Sequence, residues 1–541
     1  MIKRGRWLVA LCIGLAMQTA SADEVGLQNA VRVEVEHLRV SGQLSIRGID
    51  IASGAILSEF YERRDFRPAW NKFEPIDSLL AAIEASAEQG LVPSDYHVNE
   101  VREARVAMAS NLTDRQRAAI DILFTDSLMR LGYHFRFGKV NPYTLDTQWN
   151  FTRERDTRDP VGVMQQAIDA ADIVGTLREL FPRIPVYDRL RAALARYRDI
   201  AASGGWSEIP DGPTLKPGAS DFRLNQIASR LQKSGDLPAS NATFETYNKA
   251  LEQGIQRFQY RHGLAEDGVL GPATLAALNV SVENKLSRLR VSLERARWVA
   301  HSVANKQIVV NIAGFSAYLW ENDELVWQTR VQVGRRYHKT PVFLDEMKYV
   351  VLNPTWTVPY SIATKEMLPK IKRQADYFET RDFDIKDRDG NLVDHRDVDW
   401  SQLSRGNFGY TFVQRAGPNN ALGLVKFIFP NKHAVYLHDT PSKYLFEQAE
   451  RAFSHGCIRI DRPLELAEIL LRDKGWDRER IDANKETKTV FLSTPLPVLI
   501  MYWTAEVTLD GTARFFDDIY DRDEGVLSAL NAPFKLDRPR A

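Results

Sequence analysis

Near residue 305 the hydrophobic pattern of this 541-residue chain changes its period, and this change constrains the fold more than any other feature. Upstream, segments such as "PIDSLLAAIEASAEQGL" repeat apolar residues every three or four positions, which is typical of amphipathic helices. From Gln307 onward, "IVVNIAGFSAYLWENDELVWQTRVQVG" alternates apolar and polar residues around a turn at Glu321 to Glu324, which predicts a β-hairpin. The chain is also longer than one hydrophobic core usually serves. We therefore predict a multidomain α+β protein whose mainly helical part comes first.

The helical pattern covers about residues 35–215, where we predict a scaffold domain. One of its helices is expected to be capped by Asp77 or Ser78 and to stop at Gly90, because Asp and Ser favour helix starts and Gly favours helix ends. The histidines of this region are scattered along the sequence, and nothing in it suggests chemistry. Its predicted role is therefore structural.

Residues 220–280 form a shorter unit with a different pattern. Within it, "YNKALEQGIQRFQYRHGLAEDGVLGPATLAALNV" predicts a helix, a turn at Asp267 and Gly268, and a new helix with Pro272 in its first turn. From the residues alone, a plain three-helix unit and a binding module fit this pattern equally well. A charged segment at residues 281–304 predicts a helix that links this unit to the last part of the chain.

Residues 305–541 are predicted to form a β-rich domain. The stretches "KYVVLN", "KFIFPN" and "HAVYLHD" supply strands after the hairpin, and "DRPLELAEILLRD" supplies a helix. A long polar insertion lies between the first two of these strands, at about residues 360–424. So long a stretch inside a β domain is more typical of an active-site lid or subdomain than of a simple connection. We call this insertion the cap.

The N-terminus has the features of a secretory signal peptide. Three basic residues within positions 3–6 precede the apolar run "WLVALCIGLAM", and small residues end the segment at Ala22. This apolar run is too short to span a bilayer comfortably, which disfavours an uncleaved anchor. We therefore predict that residues 1–22 are removed on export and that the mature chain has no transmembrane segment.

Basic and acidic residues are balanced in the full chain, with 71 of each. Removal of the signal peptide would take away three basic residues and no acidic ones, so the mature chain would be slightly acidic. Such a composition gives no electrostatic reason to expect binding to nucleic acid or to an anionic membrane.

The chain has two cysteines, and the predicted signal peptide contains one of them. The exported form would keep only Cys457, in the stretch "FSHGCIRI", and would have no internal disulfide. His455 lies two residues before this thiol, and His438 lies at the end of a predicted strand further upstream. A cysteine paired with a histidine forms a nucleophile for acyl transfer. Gly456 would permit a tight turn, and its backbone N–H and that of Cys457 would form an oxyanion hole.

Other interpretations of Cys457 fit its spacing as well. Free cysteines are often small buried hydrophobic residues. A zinc site built from His433, His438, His455 and Cys457 would use the usual ligands of that metal. Chance clustering is a third alternative. The spacing alone favours the catalytic interpretation but leaves these three open.

The longer stretch "YLHDTPSKYLFEQAERAFSHGCIRI" resembles the catalytic signature of the L,D-transpeptidase family. That signature is a histidine, a spacer, then serine or threonine, His-Gly-Cys, an apolar residue and arginine. The matching positions in this sequence are His438, Ser454, His455, Gly456, Cys457, Ile458 and Arg459. One departure is His455, because some large members carry serine at that position.

The resemblance extends over nearly the whole mature chain. "FYERRDFRPAWN" is similar to the start of the scaffold domain of the large periplasmic members, and "NPTWTVPYSIATKEMLP" is similar to the stretch that leads into their cap. Together, "FQYRHGL", "DGVLGPAT" and "ALN" are similar to a peptidoglycan-binding domain-like module. These units occur here in the same order as in those enzymes, which implies a periplasmic location.

The resemblance implies a cysteine transpeptidase that acts on peptidoglycan, with no cofactor and no metal. Cys457 would attack the third residue of a tetrapeptide stem and release D-alanine, and an amine of a second stem would resolve the thioester as a 3→3 cross-link. His438 would act first as general base and then as general acid. Covalent labelling by carbapenems and a role in cell-wall biogenesis and cell shape are also implied.

The family further implies roles for residues around this pair. Ser454 or His455 would orient the imidazole or the substrate, and Arg459 would hold a substrate carboxylate or brace the loop. Candidates for the substrate groove, at the entrance to the cap, are Asn353, Trp356 and Tyr360.

Three alternative functions would use the same thioester, and a fourth would involve no catalysis. Water or a free D-amino acid would resolve it as a carboxypeptidase or exchange reaction, and an outer-membrane lipoprotein is a further acceptor. In a protein of another class, residues 220–280 would bind the cell wall while the β domain is inert. Other wall synthases are candidate partners of the scaffold.

Overall fold

The structure of the protein is a computed structural model, and it describes residues 22–145, 159–374, 376–379 and 381–534. The predicted signal peptide lies outside the described residues, apart from Ala22. Within the described part, no helix is both long enough and apolar enough to cross a membrane. Helices dominate the first half and strands the second, so the predicted α+β class is confirmed.

The scaffold region is helical. Its helices are α1 (Ala22–Ser41), α2 (Gly54–Arg63), α3 (Phe73–Ala85), α4 (Val98–Ala107), α5 (Asp114–Phe137), α6 (Pro142–Leu145), α7 (Pro160–Asp169), α8 (Ile173–Arg178) and α9 (Pro185–Ala202). Short 3-10 helices cover Ser86–Gln89 and Pro93–Tyr96, and strands β1 (Ser45–Ile46) and β2 (Ile49–Asp50) pair with each other. Helix α5 is buried along most of its length. Its Asp121 accepts hydrogen bonds from the backbone N–H groups of Ala69 and Trp70, which ties the connection between α2 and α3 to the centre of the unit.

Helix α3 begins earlier than predicted. It starts at Phe73, not after a cap at Asp77 or Ser78. Pro75 explains this start, because the first N–H groups of a helix have no partner within it and proline is tolerated there. The predicted end is correct: Gly90, with φ of +77°, ends the 3-10 helix that continues α3.

Three helices form the next unit: α10 (Leu224–Ser234), α11 (Lys249–Arg261) and α12 (Pro272–Leu278). Pro272 is the first residue of α12, as predicted, and Gly268 in the preceding turn has φ of +66°. The three helices enclose a small core of their own, in which Leu231 and Phe258 are fully buried.

Helix α13 (Val282–Val299) occupies most of the segment predicted to be a linking helix. Every side chain from Val291 to Val299 is buried, so this helix is not a solvent-exposed connection. Glu294 accepts a hydrogen bond from the backbone N–H of Val140 at 2.7 Å and pairs with Arg297 at 2.8 Å. The Ser292 hydroxyl of the same helix accepts the Ala505 N–H at 3.2 Å, so helix α13 packs the scaffold against the β-rich unit.

The β-rich unit contains fifteen described strands. They are β3 (Lys306–Asn311), β4 (Ser316–Glu321), β5 (Glu324–Gly334), β6 (Phe343–Leu352), β7 (Trp356–Thr357), β8 (Phe383–Lys386), β9 (Leu392–Val393), β10 (Thr411–Gln414), β11 (Val425–Ile428), β12 (Leu437–His438), β13 (Ala452–Ser454), β14 (Ile458–Ile460), β15 (Lys488–Met501), β16 (Ala505–Val507) and β17 (Ala513–Phe515). The helices are α14 (Tyr360–Ile362), a π-helix (Ala363–Met367), α15 (Leu368–Ile371), α16 (Pro463–Leu471), α17 (Arg478–Ala483) and α18 (Asp523–Asn531). Short 3-10 helices cover Ala300–Ser302, His395–Asp397, Trp400–Gln402, Lys443–Glu447 and Arg472–Lys474.

Nine of these strands form the main sheet, in the order β13-β5-β14-β12-β11-β6-β15-β3-β4. Strand β4 also pairs with β5, so the sheet closes on itself around an apolar interior. The predicted hairpin is confirmed: β4 and β5 are joined by Asn322 and Asp323, which both have positive φ, as a tight two-residue hairpin turn requires.

The cap folds around a core of its own. Helix α14, the π-helix and α15 follow one another, and they pack with a four-stranded sheet in the order β7-β10-β8-β9. Buried residues of this core include Val358, Met367, Phe378, Ile385 and Phe412. The insertion into the β-rich unit is thus a folded subdomain and not a loop.

Candidate active site

The register of three neighbouring strands sets the polar face of the main sheet. His438 on β12 lies opposite Lys426 on β11 and opposite Arg459 on β14. Neighbouring side chains along a strand point to opposite faces. Leu437 and Ile458 are fully buried in the interior, so His438, Lys426 and Arg459 point to the other face.

Cys457 belongs to this polar face. It directly precedes β14 and lies beside Tyr436, whose carbonyl accepts a hydrogen bond from the Ile458 N–H at 3.1 Å. The Cys457 thiol is partly buried, and its Sγ lies 3.7 Å from the carbonyl oxygen of Ala434. Burial raises the pKa of this thiol, while hydrogen bonds from Tyr436 and the positive charge of Lys426 act in the opposite direction. The resting group is therefore the neutral thiol at neutral pH.

His438 is held in one orientation and one tautomer. Its side chain is buried, and Nδ1 lies 2.5 Å from the carbonyl oxygen of Asp439. A carbonyl only accepts, so Nδ1 carries the proton and Nε2 carries the lone pair. Burial, with the positive charge of Arg459, lowers the pKa of His438 to about 3. This imidazole is therefore neutral at physiological pH and can accept a proton at Nε2.

The loop that presents Cys457 is fixed by two hydroxyl groups. Ser454 is buried; its Oγ accepts the Gly456 N–H at 3.1 Å and donates to the Cys457 carbonyl at 2.5 Å. The Thr340 hydroxyl donates to the Gly456 carbonyl at 2.9 Å and accepts the Gly334 N–H at 2.9 Å. Gly456 has φ of +115°, a conformation that side chains with a Cβ rarely adopt. Glycine is thus required here by the backbone itself.

These contacts determine which of the two predicted oxyanion donors is free to bind a substrate oxygen. The Gly456 N–H is engaged by Ser454, whereas the Cys457 N–H has no hydrogen-bond partner among the described residues. The Tyr436 side chain also lies beside the sulfur, and its hydroxyl is a second group able to donate there.

His455 points to the cap. Its Nε2 lies 2.5 Å from a carboxylate oxygen of Glu366, and its ring centroid lies 5.1 Å from that of His338. Glu366 belongs to the π-helix of the cap, and such helices occur often at functional sites. His455 thus joins the nucleophile loop to the cap through Glu366, a residue that the sequence analysis did not single out.

Arg459 places a cation on the same face as Cys457 and His438. One of its terminal nitrogens donates to the side-chain oxygen of Gln332 at 3.3 Å. Its Nε is buried without a hydrogen-bond partner among the described residues. A guanidinium group with spare donors beside a nucleophile suits a substrate carboxylate.

The three residues predicted for the substrate groove lie at the base of the cap or inside it. Asn353 is buried and donates to the carbonyl of Lys485, while Trp356 packs against the core of the cap. The Tyr360 ring is half exposed, and its hydroxyl donates to the carbonyl of Arg405. Among the described residues, none of their hydrogen bonds reaches Cys457 or His438.

The residues considered for zinc are separated by their own contacts. The His433 ring packs against Phe343 at 5.0 Å, His455 faces Glu366, and Nδ1 of His438 is bound to a backbone carbonyl. In the described ranges, no three His, Cys, Asp or Glu side chains are grouped so that they would hold a metal ion.

Sequence reasoning missed Tyr436, Thr340, Glu366 and Gln332. Tyr436 had a usable signal, because it lies two residues before His438 on a predicted strand and so faces the same side. The other three lie far from the motif in sequence, and only the tertiary fold brings them to it.

Three stretches of the chain match models of known domains. Residues 55–194 match a scaffold domain, residues 224–278 match a "Putative peptidoglycan binding domain", and residues 305–495 match an L,D-transpeptidase catalytic domain. The protein thus contains a transpeptidase domain preceded by two accessory domains. The order scaffold, peptidoglycan-binding domain and catalytic domain is the one that the resemblance implied. Residues 305–495 of the chain are thus similar to the catalytic domain of the L,D-transpeptidases.

Individual proteins are similar over part of the chain. A curated protein from Haemophilus influenzae, "Putative L,D-transpeptidase", is 31% identical over 316 residues, which is 57% of this chain and 63% of that protein. The chain thus spans less than two thirds of the length of this relative. Solved L,D-transpeptidases from Xylanimonas cellulosilytica and Stackebrandtia nassauensis are each 13% identical, with TM-scores of 0.17 and 0.21. These likenesses cover 54% and 55% of this chain, and 100% and 97% of the respective solved chains.

Proposed function

We propose that the protein is a cysteine L,D-transpeptidase that forms 3→3 cross-links between peptidoglycan stems. One observation carries the proposal: Cys457 and a neutral His438 share one face of adjacent parallel strands, and the lone pair of His438 is left on Nε2. Thiol and imidazole in this arrangement form an activated nucleophile. The match to the L,D-transpeptidase catalytic domain supports the same chemistry.

Acylation starts from the neutral pair. Sγ of Cys457 attacks the carbonyl carbon at the L-centre of the third stem residue, and the thiol proton passes to Nε2 of His438. The C–S bond forms, and the negative charge on the carbonyl oxygen is stabilised by the Cys457 N–H with the Tyr436 hydroxyl. The Gly456 N–H joins these donors once the Ser454 hydroxyl releases it. The intermediate then breaks its C–N bond, and His438 gives its proton to the departing amine of D-alanine.

Deacylation reverses these roles. The side-chain amine of a second stem attacks the thioester carbon and loses a proton to His438. A new C–N bond forms, the C–S bond breaks, and the sulfur of Cys457 recovers its proton. Neither half of the cycle changes an oxidation state, so no redox cofactor takes part in it.

Arg459 is the proposed anchor for the donor stem. Its guanidinium is partly buried, and burial lowers its pKa, which is the energetic cost of keeping a cation there. A stem carboxylate would offset that cost through charge-assisted hydrogen bonds to the guanidinium group. We also propose that the exported, periplasmic form of the protein is the active one, because peptidoglycan lies outside the cytoplasmic membrane.

The acceptor decides between transpeptidation and its rivals. Water would give carboxypeptidase activity, a free D-amino acid would give exchange, and a lipoprotein amine would give attachment to the wall. The peptidoglycan-binding domain favours the cross-linking outcome, because it would hold a second stem close to the thioester. Docking of other synthases on the scaffold is a separate proposal.

The deciding experiment compares the full chain with Cys457→Ala. Purified disaccharide tetrapeptide is incubated with each protein, and released D-alanine and 3→3 dimers are measured by mass spectrometry. We expect dimers with the native chain, neither product with Cys457→Ala, and equal Tm values for the two. Turnover by Cys457→Ala would disprove the assignment. D-alanine release without dimers would transfer it to the hydrolytic rival.

A carbapenem provides an independent test of the nucleophile. We expect the native chain to gain the mass of one inhibitor molecule and Cys457→Ala to gain none. An inert β domain, as in a protein that only binds the wall, would show no adduct and no change in thiol reactivity on adding stem peptide.

A further inference from the structure

A cavity of about 600 Å³ lies where the scaffold, the three-helix unit and the β-rich unit meet. One wall is α9, a second is the end of α10 with α11, and the third is the outer face of β3, β4 and β5 with residues 503–514. Neither Cys457 nor His438 lines this cavity. It is therefore a separate site, of the size of pockets that enclose small organic ligands. We call it the junction cavity.

Aromatic side chains give the junction cavity flat apolar walls. Tyr318 and Trp320 come from β4, Trp503 follows β15, and Tyr260 comes from α11. Tyr260 is half exposed and stacks with the guanidinium of Arg514 at 4.4 Å. Such walls bind the apolar parts of a ligand without fixing its orientation.

Two buried donors at the junction cavity lack partners. The indole N–H of Trp503 and the Nε of Arg261 have no hydrogen bond among the described residues, although these residues are only 8% and 5% exposed. A buried donor without a partner costs about 1–3 kcal/mol. The two come from different domains, and both belong to lining residues.

The charges of the cavity are separated by side. Arg196 and Arg257 are exposed on the helical side, and within the described part of the chain each donates only to a backbone carbonyl, those of Ser234 at 3.2 Å and Asp236 at 2.7 Å. Their positive charges are thus not cancelled by these bonds. Asp323 and Asp510 line the β-rich side, and both are exposed. The cavity therefore offers cations to carboxylates on its helical side and the carboxylate of Asp510 to an ammonium group on its β-rich side.

The remaining charges in the wall pair with each other. Arg261 lies 3.4 Å from Asp236, and Arg514 lies 3.0 Å from Glu506. Asp323 acts on Arg189, raising its pKa against the larger lowering by burial. Arg196 also acts on Asp236, lowering its pKa against the larger effect of burial. These pairs support the walls and leave Arg257, and in part Arg196, as the groups available to an anion.

We infer that the junction cavity is a second, non-catalytic binding site for a zwitterionic peptide of the peptidoglycan-stem class. A stem of this class carries several carboxylates and one free ammonium, which matches the separated charges. The inference rests on the proposed function for the identity of the ligand. A wall strand held here would keep neighbouring stems at high effective concentration near the catalytic face.

The test uses the full-length Cys457→Ala chain, so that no ligand is consumed, and soluble disaccharide tetrapeptide as the probe. Titration calorimetry should resolve two sites per chain. We expect Arg196→Gln with Arg257→Gln to weaken one site about tenfold or more and to leave the other unchanged, because two charge-assisted bonds are lost. The matched control is Arg472→Gln with Arg478→Gln, which removes two exposed arginines that pair with Glu468 and Asp482. It should leave both sites unchanged.

A second variant removes the same site in a different way, so that the test does not depend on correct folding of the first variant. Ala304→Trp fills part of the junction cavity without changing its charge and should abolish the same site. Binding at one site only, or two sites that ignore both variants, would overturn the inference. Equal binding of the disaccharide without its peptide would also overturn it in favour of a glycan site. A native chain that cross-links stems but binds a single one would refute the junction site while the proposed function stands.

Discussion

The nucleophile loop, Phe453–Ile460, and the cap meet at the candidate active site, but different parts of the fold hold them in place. The loop is bound into the main sheet on both sides, since β13 pairs with β5 and β14 pairs with β12 and β5. The cap has its own core and its own sheet, and it contacts the loop through Glu366 and His455. The geometry of the reaction thus depends on the main sheet, whereas contacts above the nucleophile depend on a separately packed subdomain.

The two regions also differ in how strongly each contact is expected to act. Thr340 and Ser454 are buried, and leaving one buried partner unsatisfied costs about 1–3 kcal/mol. The side chains of His455 and Glu366 are 28% and 38% exposed, and pairs with such access to water contribute at most about 1 kcal/mol. Changes in the loop should therefore reduce activity much more than changes in the cap contact.

His438→Gln should give the largest effect of the substitutions proposed for this comparison. Glutamine retains a polar side chain of similar size, but it neither accepts a proton from the thiol nor protonates the leaving amine. We expect kcat to fall by about 10²–10⁴-fold, the usual contribution of general acid–base catalysis. The rate of D-alanine release by the full chain measures this loss.

His433→Gln is the matched control, because that ring packs against Phe343 outside the pair. Its kcat should stay close to that of the native chain. Equal losses in the two variants, or full activity of His438→Gln, would show that the sheet register does not set the chemistry. The contrast between loop and cap would then fail at its first step.

Gly456→Ala should have an intermediate effect. A Cβ at this position meets nothing closer than the His338 carbonyl at 3.9 Å, so the cost comes from φ of +115° and not from a clash. Such backbone strain costs about 1–3 kcal/mol. We expect a Tm lower by several degrees and kcat reduced by about 10–100-fold, because relief of the strain moves the neighbouring thiol.

Gly475→Ala separates strain from misplacement of the nucleophile. Gly475 has φ of +72° and lies after α16, away from the nucleophile loop, so the same substitution should lower Tm without lowering kcat. If both variants lose activity in proportion to their Tm, the loop holds the fold but does not position the nucleophile.

How well the sequence predicts each region depends on how far apart in the chain its contacting residues lie. Cys457 and His438 were predicted as a pair, because a conspicuous motif comes after a strand whose alternation sets the side-chain direction. Thr340 and Glu366 were not predicted, since each lies more than 80 residues from its partner in the loop. No local pattern encodes such tertiary contacts.

Charge misleads sequence reasoning in a similar way. The segment at 281–304 was predicted as a charged linking helix, yet Glu294 and Arg297 are fully buried and pair with each other. Charged residues are rarely buried unless paired, and the pair is visible only in the fold. The prediction that the Gly456 N–H is an oxyanion donor is affected in the same way. This N–H donates to the Ser454 hydroxyl, and the motif alone does not show that hydrogen bond.

Glu366→Ala should give the smallest effect and should act on binding more than on chemistry. Removing this carboxylate breaks the contact between the cap and His455, but it leaves Cys457, His438 and the main sheet in place. We expect KM to rise by about 3–10-fold with little change in kcat, since loss of a contact worth about 1 kcal/mol between the cap and the loop weakens binding of the ground state and transition state alike. Glu366→Gln, which keeps a hydrogen bond to His455, should recover part of the loss.

A double-mutant cycle with His455→Ala decides whether the two side chains act as a pair. If they do, the double variant should lose no more affinity than either single variant, with a coupling energy of about 0.5–1 kcal/mol. Asp389→Ala, in the exposed turn between β8 and β9, is the control for a change of cap charge alone and should leave KM unchanged. Independent, additive losses would mean that His455 acts on the substrate directly. A large fall in kcat for Glu366→Ala would mean that the cap belongs to the catalytic geometry as much as the sheet does.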